Sequence, residues 1–202
     1  FIVPLPSGTL LKGFGVLVGE KGEATVCYDT ASSRMLATWS EGLFRYSSRK
    51  FGVVDNPLPA GKVQEWLPVN REDAEGESHW GGFNVNGPRV VVRFDVAGRE
   101  VLETPWWEAF ENGGALTRSF SVSSGGQVAR IPLVKGATMR TLSSGENSER
   151  RLFTVKTPTG DQLIVGVGET EAFRLRLDEN EETVMLEILG SMKKQRVKLF
   201  FI

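Results

Sequence analysis

Apolar and polar side chains alternate along most of this chain, with short runs of turn residues between the alternating segments. Residues 85–104, VNGPRVVVRFDVAGREVLET, show the pattern most clearly, because two strand-like segments are separated by residues 97–99 and preceded by Asn86 and Gly87. Asn-Gly pairs readily adopt positive φ and are typical of two-residue β-hairpin turns. The sequence therefore predicts a β-meander in this region.

The first part of the chain repeats this design in shorter segments. The segment EATVCYD places Ala24, Val26 and Tyr28 on one predicted face, because successive side chains of a strand point to opposite sides. Thr25 and Cys27 share the other face. The next segment, RMLATWS, is predicted to place three apolar side chains on a common face: Met35, Ala37 and Trp39.

Strand-like segments recur about every ten residues, with turn residues between them. This spacing predicts an all-β fold, an antiparallel β-sandwich, with a large supersandwich of hairpins and meanders as one version of it. A helical turn is plausible only at residues 105–114, PWWEAFENGG. Because 202 residues suit one domain, we expect a single β-sandwich domain over residues 1–202. The chain begins at Phe1 and ends within a strand-like segment, so we expect it to be a piece of a larger protein.

Composition argues against several classes of function. The 24 Lys and Arg residues balance 25 Asp and Glu residues, and a net charge of −1 gives no general attraction to nucleic acid. Cys27 is the one cysteine, so an internal disulfide is excluded, and its strand-like surroundings argue against a reactive thiol. No apolar run reaches the roughly 18 residues of a membrane-spanning helix, and the sequence shows no leader pattern. We therefore expect neither a nucleic-acid partner nor a transmembrane segment.

Candidate catalytic and metal-binding groups are sparse. His79 is the one histidine and lies in a polar stretch, residues 70–82, that we predict to be a loop. A zinc site needs several His or Cys ligands. The acidic side chains of this stretch lack the spacing of a calcium loop, which favours a solvated acidic loop over a calcium site. Nucleophile and dinucleotide motifs are missing as well, so we assign no catalytic residue, metal or cofactor.

The five tryptophans are the most informative residues for function. Trp39 and Trp66 lie within strand-like segments, where packing in the core is the favoured interpretation. Trp80, Trp106 and Trp107 border predicted loops, where a flat indole could cover the C–H face of a sugar while polar groups bind its hydroxyls. Packing beneath the loops is the competing interpretation. The candidate ligand-binding residues are Trp80, Trp106, Trp107, His79, Glu108 and Asn112.

A family resemblance covers most of the chain. Residues 19–46 contain a glycine, a Lys-Gly turn, a strand ending in Tyr-Asp-Thr, and a Trp followed by Gly and a Leu-Phe pair. Together with residues 82–103 and 116–122, this stretch resembles a domain of unknown function found in large secreted bacterial proteins that often carry c-type cytochrome domains. The matching positions are Gly19, Lys21, Gly22, Tyr28, Asp29, Thr30, Trp39, Gly42, Leu43 and Phe44.

The resemblance implies a periplasmic or extracellular location, with neighbouring domains for electron transfer or carbohydrate breakdown as partners. Haem attachment needs the motif C-x-x-C-H, so any haem would belong to such a neighbour. The strand layout is also similar to the supersandwich of sugar epimerases and of glycosidase accessory domains, although the histidine pair of the epimerases is absent. No catalytic residue transfers from the resemblance.

These observations favour a non-catalytic binding or assembly module of a larger extracytoplasmic protein, with a glycan as a candidate ligand. Two alternatives stay open. The first is a carbohydrate-active enzyme domain that uses carboxylates such as Glu103 and Glu108 near the tryptophan-bordered loops. The second is a structural subunit of a surface or electron-transfer assembly, in which an exposed strand edge such as residues 197–202 pairs with a partner.

Overall fold

The computed structural model describes residues 1–46, 57–69, 78–136, 139–143, 151–156, 162–167 and 172–201, with the backbone alone for the segments from 139 to 167. Every regular element in these residues is a β-strand, which confirms the predicted all-β fold. None of the described residues forms a helix able to cross a membrane. The strands are β1 (Val3–Leu5), β2 (Gly8–Leu10), β3 (Gly13–Val18), β4 (Ala24–Asp29), β5 (Arg34–Trp39), β6 (Phe44–Arg45), β7 (Leu58–Pro59), β8 (Gln64–Glu65), β9 (Ser78–Asn86), β10 (Arg89–Val96), β11 (Arg99–Phe110), β12 (Gly113–Val122), β13 (Ala129–Lys135), β14 (Met139–Ser143), β15 (Arg151–Lys156), β16 (Gln162–Val167), β17 (Phe173–Asp178), β18 (Thr183–Ile188) and β19 (Gln195–Phe201).

Eight of the described strands form one large antiparallel sheet, in the order β14-β15-β16-β19-β12-β11-β10-β9. Its strands β9, β10 and β11 are the predicted meander. The register places Val92, Glu103 and Phe120 side by side on one face of neighbouring strands, and all three are buried. That face is mainly apolar, and it forms one wall of the main core.

Two smaller antiparallel sheets cover this apolar face. One has the order β3-β4-β5-β8 and the other the order β13-β18-β17. Side chains from all three sheets, such as Val26, Phe120 and Leu186, belong to one cluster of buried residues. Full burial of a side chain of this kind contributes about 1.5–3 kcal/mol, so the shared core holds the layers together. The arrangement is the predicted antiparallel β-sandwich.

The sheet β3-β4-β5-β8 contains strands that are buried on both faces. All six residues of β4 are buried, with Val26 and Tyr28 in the main core and Cys27 on the opposite side. A second apolar cluster lies there, and it includes Val3 of β1 and the partly buried Phe44 of β6. This double burial confirms the alternation predicted for β4. It also makes Cys27 inaccessible, and desolvation raises the pKa of its thiol to about 12.

A β-bulge changes the face that Met35 occupies. The pairing of β4 with β5 skips Leu36, and because the side-chain period of a strand is two, this extra residue moves Met35 to the other side of the sheet. Met35 lies in the main core, while Ala37 and Trp39 lie in the second cluster. The predicted common face of these three residues is therefore wrong. The Leu36 carbonyl oxygen accepts the backbone N–H of Trp66 at 2.7 Å, which joins the bulge to the segment after β8.

Both predicted turns of the meander are present. Ala97 and Gly98 have φ values of 51° and 71°, as a type I′ turn requires, and the Asp95 carboxylate accepts the Gly98 N–H at 3.0 Å. The first reversal lies one residue later than predicted, because its loop residues are Gly87, with φ 59°, and Pro88. Glycine followed by a residue of negative φ suits a type II′ turn, and proline supplies that negative φ.

Three predictions about local structure are wrong in whole or in part. Residues 105–110 form the end of β11 and residues 113–114 the start of β12, rather than a helical turn, and residues 111–112 are the hairpin turn between these paired strands. Residues 78–82, the end of the predicted polar loop, belong to β9, and residues 70–77 lie outside the described residues. Residues 197–201 are not an exposed edge, since β19 pairs with β12 on one side and with β16 on the other.

Candidate functional site

A cleft of about 400 Å³ opens between the sheet β3-β4-β5-β8 and the large sheet. One wall comes from β5, β8 and the segments beside them, and the other from β11, β12 and β19. We call it the tryptophan cleft, because three of the five tryptophans line it. Its volume lies in the range of small-molecule sites. Residues that line it include Trp39, Trp66, Trp107, Glu23, Ser40, Lys62 and Gln64.

Trp39 and Trp66 are fixed parts of the cleft wall. Their exposed fractions are 2% and 3%, which confirms the predicted packing in the core. The Trp39 indole N–H donates to the carbonyl oxygens of Gly42 at 3.0 Å and Leu43 at 2.8 Å. The Trp66 indole N–H donates to Thr38 Oγ1 at 3.0 Å. Because these donors are occupied, the two rings offer a ligand only apolar surface.

Trp107 is half-buried, and its ring lies over Gly114 of the neighbouring strand. A Cβ atom at Gly114 would come within 2.5 Å of the indole Nε1 atom, so only glycine leaves room for the ring there. Near the same ring, a Cβ atom at Gly19 would lie 3.1 Å from Trp107 Cβ. Within the described residues the Trp107 indole N–H donates to no protein group. It is therefore available to a ligand.

Polar groups stand around the tryptophan rings. Glu23 lies between β3 and β4, and its carboxylate accepts the backbone N–H of Lys21 at 3.0 Å. Gln64 is half-buried in β8, Ser40 is exposed just after β5, and Lys62 adds an ammonium group. A carboxylate, an amide and a hydroxyl beside apolar rings can hydrogen-bond the hydroxyls of a sugar while the rings cover its C–H groups.

Three predicted site residues lie away from the tryptophan cleft, in β9 and in a turn. Trp80 is half-buried and packs edge-on against Phe14, with ring centroids 5.6 Å apart. This contact places Trp80 against the main core, as the packing interpretation expects. His79 is exposed on the other side of β9, and Asn112 is exposed in the turn between β11 and β12. The structure does not bring these residues together.

Trp106 and Glu108 lie on the opposite face of the large sheet from Trp107, because alternate residues of β11 point to opposite sides. Trp106 is buried, with the Arg89 guanidinium 4.2 Å from its ring centroid. Glu108 forms an ion pair with Lys198. Of the predicted ligand-binding residues, Trp107 alone lines the tryptophan cleft.

The two carboxylates of the enzyme alternative, Glu103 and Glu108, also point to opposite faces of β11. Glu103 is fully buried, and its oxygens accept Arg118 Nε at 2.7 Å and Arg118 Nη2 at 3.0 Å. The Tyr28 hydroxyl donates to Glu103 Oε1 at 2.7 Å. A carboxylate enclosed by these donors has no path to a ligand proton, so the structure does not favour Glu103 and Glu108 as a catalytic pair.

Tyr28, Glu103 and Arg118 form a buried network that joins β4 to β11 and β12. Burial, together with the Glu103 carboxylate, raises the pKa of the Tyr28 phenol well above its usual range. Burial by itself would lower the pKa of Arg118, but the Glu103 carboxylate more than offsets it and raises that pKa. The phenol therefore keeps its proton and the guanidinium its charge at neutral pH. The network is a structural link between the layers.

The sequence pointed to only one residue of the tryptophan cleft. Their strand-like surroundings predict packing in the core for Trp39 and Trp66, and the structure shows that both also line the cleft. Glu23 and Gln64 carry no motif that marks them. One feature of the sequence does indicate the position of the Trp107 ring. A glycine on the strand that pairs with a tryptophan is typical of an aromatic ring lying over the backbone, and Gly114 stands in this relation to Trp107.

No three His, Cys, Asp or Glu side chains of the described residues gather so as to hold a metal ion. Comparison with protein-family models, with curated proteins and with solved structures gives no match for this chain. Its function is therefore inferred from the geometry of the molecule itself.

Proposed function

We propose that the chain is a non-catalytic carbohydrate-binding module of a larger extracytoplasmic protein, and that the tryptophan cleft holds a short segment of glycan. The observation that carries the proposal is the Trp107 indole, half-buried over Gly114 with an N–H that no described protein group uses. Its ring can stack on the C–H face of a sugar while the N–H donates to a hydroxyl. The extracytoplasmic setting follows from the family resemblance and stays a prediction.

The charges around the cleft favour a neutral sugar. Glu23 contributes one carboxylate and Lys62 one ammonium group, and Gln64 and Ser40 are uncharged. A strongly anionic or cationic ligand would therefore meet one like charge for each opposite one. A neutral hydroxyl, in contrast, can donate a hydrogen bond to a carboxylate, accept one from an ammonium group, and do either with an amide or another hydroxyl.

A titration of tryptophan fluorescence with a panel of soluble neutral glycans tests the proposal. We expect at least one glycan to change the emission in a saturable way, because it covers the Trp107 ring. Trp107→Ala should weaken that binding by about tenfold or more, as loss of a central aromatic contact usually does. The matched control is Trp106→Phe, on the next residue of β11 but on the opposite face, which should leave the affinity within about twofold.

A second variant moves the indole without changing its chemistry. Gly114→Ala places a Cβ atom within 2.5 Å of the indole ring atoms, so the Trp107 ring must shift. Binding should then weaken while the protein stays folded, as circular dichroism would show. The proposal is wrong if no glycan of the panel binds, or if a glycan binds equally well to wild type and to Trp107→Ala.

A further inference from the structure

The face of the large sheet that turns away from the tryptophan cleft carries a second concavity. It is an open groove of about 580 Å³ that crosses strands β10, β11, β12 and β19. We call it the basic groove, because its charged lining residues are all cationic. Its polar lining residues are Thr104, Ser119, Ser121, Lys194, Arg196 and Lys198.

The charge of the basic groove contrasts with that of the whole chain. The chain has a net charge of −1, whereas Lys194, Arg196 and Lys198 line the groove and none of the described Asp or Glu residues does. Lys194 and Arg196 are exposed, and within the described residues they form no ion pair. Lys198 is the exception, since it pairs with Glu108 beside the groove. At least two cationic groups are thus available to an anionic ligand.

The strand register aligns one of these cations, Arg196, with a second arginine on the same face of the sheet. Arg93, Leu102, Ser121 and Arg196 lie in one row across four strands, so an arginine stands at each end of the row. With neighbouring strands about 4.8 Å apart, the two arginine backbones are separated by roughly 14 Å. The Arg93 guanidinium donates to the Gly81 carbonyl oxygen at 2.8 and 3.1 Å, which holds it at the edge of this row.

One hydroxyl, that of Ser121, lies in this row, and two more lie in the adjacent row on the same face. Thr104 and Ser119 are paired neighbours on β11 and β12, and Ser121 is the next residue on the same face of β12. The Ser121 Oγ atom is enclosed yet has no hydrogen-bond partner among the described residues. An unpaired enclosed hydroxyl is costly, and a ligand oxygen or water that reaches it removes this cost.

We propose that the basic groove binds an anionic polysaccharide, one whose sugar units carry carboxylate groups. Its carboxylates would pair with Arg196 and Lys194, and its hydroxyls would bond Thr104, Ser119 and Ser121. A nucleic acid fits less well, because single strands bind through stacking on exposed aromatic rings, and the one aromatic lining residue, Phe120, is 1% exposed. The groove is a flat sheet surface that carries hydroxyl groups between separated cations. An extended polyanion that is rich in hydroxyls can pair with both kinds of group.

This second site is independent of the proposed function of the tryptophan cleft. Thr104 and Ser119 belong to one face of β11 and β12, whereas Trp107 and Leu116 belong to the other. A neutral glycan in the tryptophan cleft and an acidic glycan in the basic groove would lie on opposite sides of the same sheet. A change at one site should therefore leave the other site unaltered.

The test measures binding of soluble polygalacturonate to the whole chain by calorimetry, at low and at physiological salt. We expect binding that weakens as salt rises, since exposed charges are screened. Arg196→Glu should reduce the affinity by about tenfold, because it removes one attraction and adds one repulsion. The matched control is Lys12→Glu, which makes the same charge change at an exposed position outside the groove and should alter the affinity by less than about twofold.

Two further probes separate this proposal from its rivals. Single-stranded DNA and inorganic polyphosphate carry negative charge without sugar carboxylates, and we expect both to bind at least tenfold more weakly than polygalacturonate. The proposal is wrong if polygalacturonate does not bind, if Arg196→Glu and Lys12→Glu lower its affinity equally, or if the two phosphate polymers bind as well. Trp107→Ala should leave polygalacturonate binding unchanged, so failure here is distinct from failure at the tryptophan cleft.

Discussion

The two faces of β11 carry the same kind of ion pair in opposite surroundings. On the core face, Glu103 pairs with Arg118, and each side chain is 1% exposed. On the outer face, Glu108 pairs with Lys198, and their side chains are 28% and 39% exposed. The first pair holds the layers of the sandwich together. The second stands beside the basic groove, where it adjusts the charge that a ligand meets.

Physical chemistry explains why one pair matters for folding and the other for binding. A buried carboxylate and guanidinium lose their hydration, and only good geometry and further hydrogen bonds offset that cost. Glu103 has both, through two bonds from Arg118 and one from Tyr28. An exposed pair keeps most of its hydration and is screened by salt, so it contributes little to stability.

Removal of the Glu103 charge should have the largest effect on stability. Glu103→Gln leaves the Arg118 guanidinium buried without its counter-charge, and we expect the free energy of unfolding to fall by about 3–5 kcal/mol. Urea denaturation followed by fluorescence measures this change. The control is the double variant Glu103→Leu with Arg118→Met. It removes both buried charges and should recover much of the lost free energy of unfolding. A loss below about 1 kcal/mol in Glu103→Gln would contradict the structural role of the network.

Tyr28→Phe should have the next largest effect. The substitution keeps the ring in the main core but removes the hydroxyl that donates to Glu103 Oε1 at 2.7 Å. A hydrogen bond to a charged group contributes about 1.5–3 kcal/mol, and the free energy of unfolding should fall by that amount. Tyr46, which is exposed, provides the matched control, and Tyr46→Phe should change stability by less than about 0.5 kcal/mol.

Alkaline pH should weaken the core through Tyr28. The pKa of its phenol is raised in the folded protein, so its contribution is complete below the pKa of an unfolded tyrosine, near 10. Above that pH the unfolded chain releases the proton while the folded protein keeps it, and stability falls by up to about 1.4 kcal/mol per pH unit. Tyr28→Phe should show a shallower decline between about pH 10 and 11 than wild type. Equal slopes for the two proteins would contradict the assignment.

The outer ion pair should affect stability least and binding most. Glu108→Gln should change the free energy of unfolding by less than about 1 kcal/mol, because the Glu108–Lys198 pair is partly exposed. The same change frees Lys198 and should strengthen polygalacturonate binding in the basic groove by about two- to threefold at low salt. Differential scanning calorimetry of wild type and Glu108→Gln compares their stability, and titration calorimetry with polygalacturonate compares their affinity. Weaker binding of Glu108→Gln would contradict this account of the groove.

The fold was predictable where alternation and turn chemistry acted locally. The meander followed from its two tight turns, and the assignment of Val26 and Cys27 to opposite faces of β4 followed from the alternation. The bulge at Leu36 was not predictable, because an inserted residue in a paired strand leaves no mark in the pattern of apolar positions. Residues 105–114 suggest a helical turn by sequence, yet most of them lie in β11 and β12, because strand pairing within the large sheet decides their conformation.

The tryptophan cleft was largely hidden from sequence reasoning because its residues come from distant parts of the chain. Gln64 and Trp107 meet only after two sheets have packed face to face. Alternation shows that Trp106 and Trp107 point to opposite faces once the strand is known, but it does not show which face meets the other sheet. The basic groove depends on register in the same way, since only the pairing of three strands brings Thr104, Ser119 and Lys198 side by side.

The most direct test of the central claim observes the indole N–H groups themselves. In a ¹⁵N–¹H spectrum each tryptophan gives one indole signal, and Trp107→Phe identifies the signal of Trp107. On addition of the neutral glycan that binds, we predict that this signal shifts most, because the Trp107 N–H donates to none of the described residues. The signals of Trp39 and Trp66 should move little, since their N–H groups are already bonded. A glycan that binds while the Trp107 signal stays fixed would contradict the claim that the tryptophan cleft is the binding site.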